Sequence, residues 1–80
     1  MFRMHMGQVA IMIFSDEQKI KKEIQTLAAK WKSNKARRST VERRLEKSGM
    51  QYVHKKIQIM INEGKLIRYP TRTGDYLFVK

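Results

Sequence analysis

Residues 50–64 read MQYVHKKIQIMINEG and run directly into KLIRYPTRTGDYLFVK at 65–80. In the first stretch Val53, Ile57, Met60 and Ile61 recur at the i, i+4, i+7, i+8 spacing of one helix face. That spacing predicts a helix over Met50–Asn62, ended by Gly64. Past the glycine the period changes. Leu66–Tyr69 and Tyr76–Val79 are runs of β-prone residues, and Pro70–Asp75 between them carries the turn chemistry. The second stretch therefore predicts a β-hairpin.

Upstream, Ser48-Gly49 marks a turn, and Ser39-Thr-Val-Glu42 has the S-x-x-E form of a helix-start capping box. The short helix behind it turns Val41 and Leu45 inward and Arg43, Arg44 and Lys47 outward. Ser15-Asp-Glu-Gln18 repeats the same signal as S-x-x-Q. Ile20, Ile24, Leu27, Ala28 and Trp31 then form a single apolar stripe, which places Trp31 in the core, and Ser33-Asn34 breaks the helix. Residues 1–14, MFRMHMGQVAIMIF, are an apolar segment, read as an extra strand over Gln8–Phe14 or as a dimerisation arm. The segment falls short of the about 20 apolar residues a bilayer span needs, and no small-residue cleavage site follows it. The expected organisation is this segment followed by one domain over 15–80. The expected fold class is α+β, three helices followed by a β-hairpin.

Charge narrows the partner. The chain of 80 residues carries 18 Lys+Arg against 7 Asp+Glu, a net charge of +11. Ten of those cations fall between Lys30 and Lys56, opposed only by Glu42 and Glu46, which leaves +8 in that segment. Self-repulsion on this scale is rationalised by a polyanionic partner. There is no cysteine, so disulfides and thiolate chemistry are excluded and an intracellular, cytoplasmic or nucleoid-associated location is favoured. No paired acids, phosphate-cradling glycine loop or histidine with a base or nucleophile partner is present. Neither an enzyme, nor a metal site, nor a cofactor is therefore expected.

The order helix, helix, tight turn, helix, hairpin resembles the winged helix-turn-helix family. The match is carried by Val53-x3-Ile57-x2-Met60-x3-Gly64, then Leu66-Ile67 and a glycine-containing hairpin, and covers roughly Ser15 to Lys80. Two positions depart from the family pattern. Gly49 lies closer to Val53 than in many members, and Arg43 stands where a small residue often packs between helices. The spacing is also similar to that of winged-helix proteins of the ribosomal small subunit, so RNA stands beside DNA as an implied partner.

The resemblance implies that the third helix enters the major groove of double-stranded DNA. Helical rotation puts Gln51, Lys55, Gln58 and Asn62 opposite the apolar stripe, with Tyr52 and Ile59 on a shoulder. Gln51, Tyr52, Lys55 and Gln58 are the expected base contacts, glutamine being suited to adenine and lysine to guanine acceptors. Lys35, Arg37, Arg38, Arg43, Arg44, Lys47, His54 and Lys56 are the expected phosphate contacts, and Arg68 and Arg72 those of the wing. The function these imply is a sequence-specific transcriptional regulator acting as a homodimer. An RNA-binding or ribosome-associated protein and a protein-interaction module are the alternatives.

Overall fold

The computed structural model describes the backbone of residues 2–80 and the side chains of residues 16–80. The elements, in order, are α1 (Phe2–Lys30), β1 (Ala36–Arg37), α2 (Arg38–Lys47), α3 (Val53–Asn62), β2 (Leu66–Thr71) and β3 (Gly74–Val79). Three helices thus pack with a three-stranded antiparallel sheet, an α+β fold compatible with a winged-helix layout. β3 is the central strand, in the order β1-β3-β2. Pro70 sits within β2, opposite Asp75. It is tolerated there because β2 is an edge strand and its missing N–H breaks no second ladder.

One core joins all the elements. Ile20, Ile24 and Leu27 of α1 meet Ala36 of β1, Val41 and Leu45 of α2, Val53, Ile57 and Met60 of α3, Leu66 of β2 and Leu77 of β3. The apolar stripes expected for the three helices are the faces that pack, apart from Trp31. Only Leu66 and Leu77 of the hairpin are buried, so the half beyond them, out to Arg72, stands away from the core.

All three helices end in the same way. The amide after the left-handed residue donates to a carbonyl five residues back: Ser33 to Ala28 at 2.8 Å, Met50 to Leu45 at 3.0 Å and Lys65 to Met60 at 2.9 Å. This is the Schellman closure, whose left-handed position favours glycine. Gly49 (φ 102°) and Gly64 (φ 78°) fill it in α2 and α3, but Lys32 (φ 53°) fills it in α1. Lys32→Gly is therefore expected to raise stability by up to about 1 kcal/mol, measured by urea denaturation.

Several expectations are corrected. The strand at Gln8–Phe14 does not form, because α1 runs from Phe2 and takes those residues in. No proline stands upstream of Ser15 to stop the helix, so Ser15 lies inside it and caps nothing. Whether residues 1–14 serve as an arm lies outside the described side chains. The second capping box is also absent. α2 starts at Arg38 behind Arg37, which adopts extended backbone in β1 and makes no side-chain cap. Trp31 is 41% exposed rather than in the core, since α1 closes at Lys30 and the reversal at Lys32 swings it out. Arg43 is exposed on α2 and does not lie between helices. Finally, α3 begins at Val53, not Met50, which instead completes the closure of α2 and packs against the core.

Candidate nucleic-acid interface

The late start of α3 changes its exposed face. Gln51 and Tyr52 precede the helix, so Gln51 lies off its outer face, which keeps Lys55, Gln58 and Asn62, all exposed. Ile59, as expected from its outward shoulder, is 45% exposed. Tyr52 holds the position before the first helical residue with φ 55° and ψ 38°, where extended backbone is usual. Its carbonyl accepts the first helical bond, from Lys56 N at 2.9 Å, and its ring is 74% exposed. A left-handed tyrosine gains nothing from its neighbours in this fold, and backbone strain of this kind, about 1–3 kcal/mol, gathers at functional sites.

The cations divide by what they touch. Arg38, read as a surface phosphate contact, is 7% exposed. Its Nε donates to Glu42 Oε2 at 2.8 Å, and its Nη2 donates to the His54 carbonyl at 3.3 Å and lies 3.3 Å from His54 Nδ1. His54 Nδ1 is also 3.0 Å from Glu42 Oε2, so one carboxylate gathers both groups and locks α2 to the first turn of α3. Burying an arginine is tolerated here because its donors are met.

Others serve as struts. Arg44 pairs with Glu23 at 2.6 Å, Lys56 with Asp16 at 2.8 Å and Arg68 with Asp75 at 2.8 Å. Asp16 and Glu17, two residues of the supposed capping box, thus anchor α1: Glu17 pairs with Lys65 at 2.7 Å. The bond to Glu17, with a second to Glu63, raises the Lys65 ammonium above its ordinary value of 10.5. Arg37 braces the hairpin. It donates through Nη1 to the Thr73 carbonyl at 3.0 Å and through Nη2 to Tyr76 Oη at 2.9 Å, with its guanidinium over the Tyr76 ring.

Arg43, Lys47, Lys55 and Arg72 remain exposed with no ion pair among the described residues. Lys35 lies over the exposed Tyr69 ring at 5.0 Å, a pairing that only the fold brings together, since β1 and β2 flank β3 from opposite sides. The helices and the hairpin are contiguous: Arg38, Ser39, Glu42, His54, Gly74 and Asp75 line one cleft between them. Free donors on α2, the outer face of α3 and an outstanding hairpin tip make an arrangement suited to a polyanion. It has no arrangement for bond-making chemistry.

Comparison with family models, with curated proteins and with solved structures finds no match to this chain. Among the described residues no helix is long and apolar enough to cross a membrane, and no group of three or more His, Asp or Glu is placed to hold a metal ion.

Tyr52→Gly separates folding from contact. Relief of the left-handed backbone is expected to raise stability by about 1 kcal/mol in a urea titration. Loss of the exposed ring is expected to weaken duplex binding severalfold, measured by fluorescence anisotropy. A variant that gains stability and keeps full affinity would remove Tyr52 from the interface.

Proposed function

We propose that this protein is a winged helix-turn-helix DNA-binding regulator, with α3 as the helix that enters the major groove and the β2–β3 hairpin as its wing. The observation that carries the reading is the division of the cations. Arg38, Arg44, Lys56 and Arg68 are consumed in holding the fold, whereas Arg43, Lys47, Lys55 and Arg72 stand free on α2, α3 and the wing tip. A basic surface that served solubility alone would have no reason to leave its unpaired charges on these elements. In this reading Lys55 and Gln58 meet base edges, Tyr52 packs at the groove entrance, and Arg43 and Lys47 meet phosphates, which position the protein without reading sequence. Arg72 reaches the backbone or minor groove beside the site.

One helix and one wing cover few base pairs, so the reading includes a homodimer on a two-fold site. The test is a titration of duplex DNA and of structured RNA with the full chain at matched salt. Tighter binding to duplex, with log K falling linearly in log salt by about 0.9 per phosphate contacted, is expected. Preference for RNA would transfer the same surface to a ribosome-associated role. Binding that persists undiminished at high salt would point to a protein partner instead.

A further inference from the structure

Gln58 is held by a neighbour on each side. Its Oε1 faces Arg38 Nη1 at 3.5 Å, and its Nε2 donates to Asn62 Oδ1 at 3.1 Å. The orientation of the amide follows from chemistry. A guanidinium carries donors only, so turning the Gln58 amide over would set its NH₂ against the Arg38 N–H groups. Arg38 is itself fixed, being buried and bonded to Glu42 and to the His54 carbonyl. Asn62 spends its oxygen on Gln58 and so reinforces the same choice.

The consequence lies on the outer face of α3. Lys55 and Gln58, at i and i+3, are neighbours there and both are exposed. Lys55 has no acceptor, and the only acceptor of Gln58 is turned inward to Arg38, leaving a free amide N–H. Together they present donors and no acceptor. A bidentate contact to adenine needs an acceptor for its N6 amino group beside a donor for N7, whereas guanine offers two acceptors, N7 and O6.

Resting on the duplex-reading function above, we infer that α3 reads guanine in the major groove, with Arg38 as the positioning residue that denies Gln58 its adenine-reading geometry. The unassisted glutamine would suit adenine. The buried arginine removes that option.

The experiment takes the duplex selected by the full chain from a random pool and replaces single purines by 7-deazaguanine or 7-deazaadenine, which lack the N7 acceptor. The expected result is a loss of about tenfold at each contacted guanine and less than about twofold at any adenine. Arg38→Met, which keeps the buried volume apolar and frees Gln58 Oε1, is expected to raise the affinity for guanine-to-adenine substituted sites relative to the selected site. A loss confined to 7-deazaadenine, or an Arg38→Met variant with an unchanged guanine-to-adenine ratio, overturns the inference and leaves the DNA-binding function standing. Failure to select any duplex overturns both.

Discussion

Glu42→Ala is expected to cost about 3 kcal/mol of stability, while Arg38→Met is expected to cost less than about 1 kcal/mol. The asymmetry comes from which group is left behind. Removing Glu42 leaves the Arg38 guanidinium, 7% exposed, without the carboxylate 2.8 Å from its Nε and with only the His54 carbonyl, the His54 ring and a long contact to Gln58. A buried charge stripped of its counter-ion carries its desolvation cost uncompensated. Removing Arg38 instead leaves Glu42, whose side chain is 21% exposed and keeps His54 at 3.0 Å, so water and the imidazole take over. Methionine also fills most of the vacated space. A domain of this size has a total stability of only several kcal/mol, so Glu42→Ala removes a large part of it. Urea titrations of the two single variants and the double variant measure this. In the double variant the cost should fall back toward that of Arg38→Met.

The second large effect is on binding. Replacing Arg43, Lys47, Lys55 and Arg72 together by alanine is expected to lower duplex affinity on the order of 10²-fold at moderate salt. It should also make the slope of log K against log salt shallower by about 3–4, at about 0.9 for each lost phosphate contact. All four are exposed and make no ion pair among the described residues, so stability should stay within about 0.5 kcal/mol of wild type. The matched control replaces Arg44, Lys56 and Arg68, which already hold Glu23, Asp16 and Asp75. It removes nearly as much positive charge but should change the slope far less. Equal slopes for the two sets would mean that net charge, and not its placement, drives association.

Sequence periodicity made the packing faces legible. Ile20, Ile24, Val41, Leu45, Val53, Ile57 and Met60 are buried where their spacing put them, and Gly64 closes α3 as glycine should. What periodicity could not convey were the features set by contacts distant in the chain. β1 is two residues long and exists because Ala36 and Arg37 pair with Leu77 and Tyr76. Arg38 lies in a run of exposed cations, and nothing beside it signals burial. The pocket around it is assembled from Glu42 and from His54 on the next helix. Helix ends misled for a different reason. The S-x-x-E/Q pattern occurs twice and caps neither helix, because Asp16, Glu17 and Glu42 answer to lysine and arginine partners elsewhere. Tyr52 and Lys32 take left-handed backbone that their residue types disfavour, so no local rule could have set the start of α3 or turned Trp31 outward. These errors changed the candidate interface more than the fold. Gln51 moves off the helix, Arg38 moves inside, and Arg37 becomes a brace for the hairpin.

The central claim is that α3 and the hairpin together read a duplex, and selection followed by footprinting tests it most directly. The full chain is used to select from random duplexes, and the winning sequence is footprinted with wild type beside Lys55→Ala and Arg72→Ala. The expected result is a discrete protected site that Lys55→Ala abolishes and that Arg72→Ala retains at higher protein concentration, since the first removes a base contact and the second a backbone contact. Uniform protection of every duplex, unchanged by Lys55→Ala, would contradict it.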